Sequence, residues 1–264
     1  VALSAEAGRL LPSERQHLIR QLARERTVLR ISELAQEFGV SEMTIRRDLD
    51  ALVRAGHLEK TFGGAVAAEQ AASELSYKIR LETHQPQKNA IAELAAGFIQ
   101  EGDTVAIDAS TTGLALSRRL VARQITVVTN SLDVALELRA ARPHLILVGG
   151  SLRQTAGSLV GPLAVEALGH LRVDHAFFSS KGLIIPDGFM ESDLSETEVK
   201  RRLLAAAARV TALIDASKFG KRALACITPL SEIDALVTDD GVSASTVKHL
   251  TELGIETHVA RVKA

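Results

Sequence analysis

The chain has 264 residues, 46% of them hydrophobic, and a formal net charge of -1. That length holds one large or two modest domains with substantial cores, and no apolar run approaches the ~20 residues of a membrane span. A charge so near zero excludes a generally basic nucleic-acid coat, and the single cysteine, Cys226, excludes an internal disulfide and offers no metal-ligand cluster.

The opening V-A-L-S-A-E-A-G-R-L-L-P lacks the basic-then-apolar order of a signal peptide and reads as a disordered start. Ser13 to Arg26 predicts a first helix, with Ser13 as its cap and Leu18, Ile19 and Leu22 as its packing stripe. Thr27 to Ile31 is β-branched and suits a short strand. Ser32 to Phe38 reads as a second short helix, closed by Gly39. Val40 to Arg54, V-S-E-M-T-I-R-R-D-L-D-A-L-V-R, then predicts a two-faced helix capped by Ser41. Ile45, Leu49 and Leu52 share its core stripe, and Met43, Thr44, Arg47, Asp50 and Arg54 lie opposite. Two helices joined by a glycine turn make a helix-turn-helix.

Arg46 and Arg47 alone fit a solvated face equally well, with Asp50 near enough to pair with either. The residues beyond this helix favour DNA: Leu58 to Phe62 and Ala65 to Ala67 flank Gly63-Gly64, a hairpin signal that suits a wing. Lys60 and Thr61 near its tip would hold phosphates, and Thr44 and Arg47 would reach base edges in the major groove. Ser41, Met43, Arg46 and Arg54 complete the expected DNA-binding set.

Residues 68–84 read as a connection, with a break at Gln85-Pro86 before a helix from Gln87 to Gln100. Short apolar runs then alternate with helical stretches. The runs are Thr104 to Ile107, Ile125 to Val128, Leu145 to Val148, Ala176 to Phe178, Val210 to Ile214 and Ala235 to Thr238. The helices between them are Leu114 to Val121, Leu132 to Arg139, Leu163 to Leu171, Glu196 to Ala207 and Ala244 to Leu253. This is the pattern of an α/β domain with a mostly parallel sheet, in which ligands bind beyond the carboxyl ends of the strands. The fold class is therefore α/β: a winged helix-turn-helix domain over 12–67, then a larger α/β domain over 85–264.

The loops after the strands are the places to look for a ligand. Asp108-Ala-Ser-Thr-Thr-Gly offers the hydroxyls of Ser110, Thr111 and Thr112 beside free helix-start amides, which favour an anion such as phosphate. Asp108, being negative itself, suits a sugar hydroxyl or a backbone amide better. Thr129-Asn130-Ser131 again ends a strand and opens a helix. Gly149-Gly150 permits close backbone approach, and Arg153 beyond it is suited to a phosphate. Lys181-Gly182 and Asp215 to Gly220 close the series. Cys226 reads as a small buried hydrophobe.

E-L-A-Q-E-F-G-V-S-E-M-T-I-R-R-D-L-D-A-L-V-R-A-G-H-L-E-K-T-F-G-G-A resembles the DNA-binding domain of DeoR-type transcriptional regulators, and the match extends over Ser13 to Val66. The chain carries Phe62 where family members often have His or Arg. The resemblance continues from about Glu74 to the C-terminus, where the family's effector domain is similar to phosphosugar isomerases and senses phosphorylated sugars. It implies an effector pocket lined by Asp108, Ser110, Thr111, Thr112, Asn130, Gly150, Lys181, Glu196, Asp215 and Lys218. Ser110 stands where the family's D-x-G-T-T pattern has glycine.

The expected function is a sequence-specific, DNA-binding repressor of a sugar-catabolic operon, relieved by a phosphorylated sugar. It would be a cytoplasmic homodimer or higher homo-oligomer on double-stranded operator DNA, with no metal, cofactor, membrane contact or catalytic activity. The rival is a phosphosugar isomerase with an accessory head, for which Asp108, Asp187, Glu196 and Asp215 are candidate bases. A third reading, a module that binds only protein, predicts no salt-sensitive DNA affinity.

Overall fold

The computed structural model describes residues 10–26, 29–55, 57–61, 63–67 and 77–263. The chain forms two compact units, Val1–Ile79 and Arg80–Ala264. The expected disordered start and most of the expected connection lie outside the described residues.

The first unit runs α1 (Pro12–Glu25), β1 (Leu29–Arg30), α2 (Ile31–Phe38), α3 (Glu42–Arg54), β2 (Leu58–Thr61) and β3 (Gly64–Ala67). Helix α1 begins one residue before the expected cap. Pro12 opens it, where a missing N–H costs nothing, and Glu14 reaches back to accept from the Leu11 amide at 2.9 Å. Gly39 ends α2 with φ of 62°. Ile19, Leu34, Phe38, Ile45, Leu49, Leu52 and Leu58 fill the core, so the predicted stripe of α3 points inward. The three strands form an antiparallel sheet in the order β1-β3-β2, the wing. Thr61 pairs with Gly64, which places Gly64 inside β3 rather than in the turn. A Cβ there would come within 2.0 Å of the Leu29 carbonyl oxygen, so glycine lets β1 lie alongside.

A short helix, α4 (Tyr77–Glu82), runs through the division and leads to α5 (Gln85–Ala96). The break falls just upstream, at Thr83-His84: Gln85-Pro86 opens α5, with the proline in its first turn, and the helix ends at Ala96 rather than Gln100.

The sheet of the second unit has seven strands, all parallel, in the order β15-β14-β12-β9-β4-β5-β6. They are β4 (Thr104–Ile107), β5 (Thr126–Thr129), β6 (His144–Leu147), β9 (Val173–Phe178), β12 (Ala207–Leu213), β14 (Ala235–Asp239) and β15 (Glu256–Ala260). Sequence reasoning missed β15, an edge strand of mixed exposure with no continuous apolar run to announce it.

Helices cover both faces. Alternation splits neighbouring residues between the layers: Phe177 packs with Ile91 of α5, Leu116 of α6 (Thr111–Arg119) and Val134 of α7 (Leu132–Leu138). Phe178 packs on the other side with Ala164 of α8 (Pro162–Gly169) and Val199 and Leu203 of α9 (Leu194–Ala205). The last helix is α10 (Ala244–Glu252). Two small antiparallel sheets were not foreseen: the hairpin β7 (Ser151–Arg153) with β8 (Ser158–Val160), and the sheet β10 (Gly182–Ile184), β11 (Gly188–Glu191) and β13 (Ala225–Thr228). Both lie in stretches that read as loops, because three- and four-residue strands are too short to show a period.

The chain places β5 and β6 on one side of β4 and then returns to place β9, β12, β14 and β15 on the other. The strand order therefore reverses between β4 and β9, the switch point beyond whose carboxyl ends sheets of this kind bind ligands.

Candidate functional site

Asp108 follows β4 directly and is fully buried at this switch point. Its Oδ2 accepts from the Ser179 amide at 3.1 Å, beyond the end of β9, so the two strands at the switch point are tied together. Ser110 caps α6, accepting from the Gly113 amide at 2.9 Å while its hydroxyl donates to Asp108 Oδ1 at 2.5 Å. Its φ of -123° is ordinary for any residue. Thr111 and Thr112 lie buried in the first turn behind it.

Lys200, from the middle of α9, joins three elements beneath Asp108. Its ammonium donates to Glu191 Oε2 of β11 at 2.8 Å and to the Ser179 carbonyl at 2.8 Å, and lies 3.2 Å from Asp108 Oδ2. Burial alone would push Lys200 down, but Glu191, Asp108 and Glu196 hold it above its usual value. Burial would likewise push Glu191 up, yet Lys200 and Lys181 bring it to about 2. The pair is charged on both sides.

Glu196, in the first turn of α9, is positioned by Asp193, whose Oδ1 accepts from the Glu196 amide at 3.0 Å. Its Oε1 accepts from the Ser158 hydroxyl of β8 and lies 3.6 Å from Arg153 Nη1. Arg153 also meets Asp193, at 3.3 Å. Glu196 Oε2 is buried and has no hydrogen-bond partner among the described residues, and burial, the largest influence, raises its pKa. Asn130, after β5, donates through Nδ2 to the Leu159 carbonyl at 3.2 Å, while its own carbonyl accepts from the Leu159 amide at 2.7 Å. Its Oδ1 is likewise buried without a donor among the described residues, as are Gln87 Oε1 and Thr238 Oγ1 elsewhere in the unit. The β7–β8 hairpin thus links Asn130 to Glu196.

Asp215 stands at the end of β12, where its Oδ1 accepts from the Ser217 amide at 3.1 Å and caps the short turn Ala216–Lys218. Burial lowers the Lys218 pKa, and Asp215 opposes that.

In the first unit, Ser41 caps α3 by accepting from the Thr44 amide at 3.2 Å, and its hydroxyl lies 3.0 Å from that of Thr44. Met43, Arg46, Arg47 and Arg54 are exposed, and Arg46 lies 3.7 Å from Glu42. Asp48, on the inner face, is buried against Arg15 of α1 at 2.5 Å and accepts from Gln16 at 3.0 Å. One ion pair thereby fixes the angle of α3 against α1. Lys60 and Thr61 fall on β2, but their side chains lie outside the described residues.

The chain matches the DeoR-like helix-turn-helix domain over 15–71 and the DeoR C-terminal sensor domain over 83–240. It is a DeoR-family transcriptional regulator. It is 35% identical to the uncharacterised regulator YulB of Bacillus subtilis, across 92% of this chain and 95% of that one. The transcriptional repressor AccR of Agrobacterium fabrum is 34% identical, across 86% of this chain and 90% of its own. The glycerol-3-phosphate regulon repressor of Escherichia coli is 30% identical, across 92% and 97%.

Within the regulator's sensor domain, the expected residues fall into three groups. Asp108 with Ser110 forms the first, Asn130, Arg153 and Glu196 meet around β8, and Asp215 with Lys218 stands at the end of β12. Three of these readings gain detail or change. Gly150 makes a close approach to its own chain, since a Cβ there would stand 2.7 Å from the Val160 carbonyl oxygen. Arg153, read as suited to a phosphate, is engaged by two carboxylates, Asp193 and Glu196. Cys226 is half-buried and lies 3.7 Å from the Asp187 carbonyl, not sealed in the core.

Lys200 and Glu191, which join the first two groups, were missed. A signal for Lys200 existed: Glu196, Lys200, Leu203 and Leu204 follow one helical stripe, so a lysine on that stripe must be buried and paired. Glu191 gave none, because β11 was not legible. Among the described residues there is no cluster able to hold a metal ion, and no helix is long and apolar enough to cross a membrane.

Proposed function

We propose that the regulator is a cytoplasmic repressor of a sugar-catabolic operon, released from its operator when a phosphorylated sugar occupies the switch point between β4 and β9. The observation that carries this reading is that two of the buried acceptors without a donor, Asn130 Oδ1 and Glu196 Oε2, are joined through β8 beside the switch point. A buried acceptor left without a donor costs about 1–3 kcal/mol, and sugar hydroxyls are donors of suitable size. The likeness to a repressor of a glycerol-3-phosphate regulon favours a phosphorylated polyol or sugar. Asp108, Ser110, Thr111, Thr112, Asn130, Gly150, Arg153, Lys181, Glu196, Asp215 and Lys218 form the pocket in this reading. Sensing rather than catalysis is favoured by the DNA-reading head, for which an isomerase has no use, and of the candidate bases Asp108 is already committed to Ser110, Ser179 and Lys200.

For the DNA head, Arg47 and Thr44 read base edges, while Ser41, Met43, Arg46, Arg54, Lys60 and Thr61 contact the backbone and flanks of the groove. The regulator acts as a homodimer or larger homo-oligomer, with two reading helices set about one DNA turn, ~34 Å, apart. Release requires the sugar phosphate to bind the DNA-free state more tightly than the DNA-bound one. A gel-shift titration of the purified chain on its own promoter, with and without a panel of sugar phosphates, tests both halves. Release by a phosphorylated sugar but not its parent sugar is the expected result; a shift that no phosphorylated sugar alters defeats the sensing half.

A further inference from the structure

Helix α5 needs one apolar face to lie on the sheet, and Ile91, Ala92 and Ala95 provide it. It carries a second. Pro86, Ala90 and Leu94 recur at every fourth position on another side, where they line a groove of about 890 Å³. Across the groove stands the end of β15, at Val259 and Ala260. Helix α5 lies over β14 and reaches β15, the edge strand, and among the described residues no further helix covers that edge on this side. Helix α10, which leads into β15, packs on the far side, where Leu250 joins the layer of Phe178.

The charges around this groove do not balance. Arg119, at the end of α6, is paired at 3.5 Å with Glu93, the one carboxylate among the described residues that line the groove. Arg261 and Lys263, alternate residues beyond β15, also line it, and neither has a carboxylate partner among the described residues. Asp240 holds their stretch in place: its amide donates to the Ala260 carbonyl at 3.0 Å, and its Oδ2 accepts from the Val262 amide at 3.2 Å. An apolar stripe thus meets two fixed, uncompensated cations. We propose that this groove binds a medium-chain carboxylate, at a site separate from the switch point. Pro86 to Leu94 span ~12 Å of helix, enough to cover an extended chain of about eight carbons. The stripe buries the chain, and Arg261 and Lys263 donate charge-assisted hydrogen bonds to the carboxylate. None of the residues expected to bind the sugar phosphate lines the groove, and β14 and β12 stand between β15 and β9, ~14 Å at the usual strand spacing. The site therefore stands independently of the sugar-phosphate reading.

The test is calorimetric titration of the full chain with octanoate, with octylamine as the control of opposite charge and acetate as the control without a chain. Octanoate should saturate and bind at least about tenfold more tightly than either control, and more weakly as salt is raised. Arg261→Gln combined with Lys263→Gln, both at exposed positions, should weaken octanoate at least about tenfold and leave urea unfolding unchanged. Ala90→Phe, which fills the groove, should weaken octanoate as well. The proposal is overturned if octanoate does not saturate, if octylamine or acetate binds as tightly, or if the two charge substitutions leave octanoate affinity unmoved.

Discussion

Helix α3 buries one carboxylate, Asp48, and leaves Arg46, Arg47 and Arg54 in solvent, whereas helix α9 turns Glu196 and Lys200 inward among residues from three other elements. In the proposed reading each helix serves recognition, and the difference lies in the target. A DNA groove lies outside the protein, so its readers project from a rigid helix whose other face is core. A small ligand must be enclosed, so its site is assembled from charges that are costly to bury and must first satisfy one another. The same substitution should therefore act on stability in one domain and on binding in the other.

The sharpest way to break this contrast is Lys200→Met. It leaves Asp108 and Glu191 buried without their shared cation and should destabilise the sensor domain by about 3–5 kcal/mol, seen as an earlier urea transition. An unchanged transition would mean that the cluster is not held by charge. In the reading head, Asp48→Ala strands the Arg15 guanidinium, for a loss of about 3 kcal/mol. It should abolish operator binding although Asp48 touches no DNA. Operator affinity at the level of the unmodified chain would show that the α1–α3 pair does not set the reading angle.

Arg47→Ala should do the opposite: urea unfolding stays within about 0.5 kcal/mol, and operator binding falls by ~1–3 kcal/mol with relaxed preference at one base pair. Equal losses on operator and random DNA would remove its base-reading role. The smallest effect is expected from Ser41→Ala. Losing the cap should cost about 1 kcal/mol of head stability, measurable by thermal unfolding, with no change in the sensor transition.

The head was legible in the sequence almost residue by residue. The stripe Ile45, Leu49 and Leu52, the Ser41 cap and the Gly39 turn depend on neighbours within one or two turns, and all appear as read. The partner of Asp48 was hidden, because Arg15 lies 33 positions away, and the start of α1 at Pro12 and the place of Gly64 inside β3 also differ from the reading. In the sensor domain, the alternation of apolar runs and helices was enough for a parallel α/β sheet and for the position of Asp108 at a strand end. It was not enough for β7, β8, β10 or β11, whose short pairings owe little to local preference.

The sequence by itself determined the order of the two domains, the inward and outward faces of α3, and the family, because those rest on local periodicity and contiguous motifs. Only the tertiary structure decided that Lys200 is shared by Asp108 and Glu191, that β8 joins Asn130, through Leu159, to Glu196, through Ser158, and that Lys88 is buried against the Arg80 and Thr83 carbonyls. Most of those partners lie far apart along the chain. The charge balance at a buried atom is a sum over space, which a linear pattern does not carry.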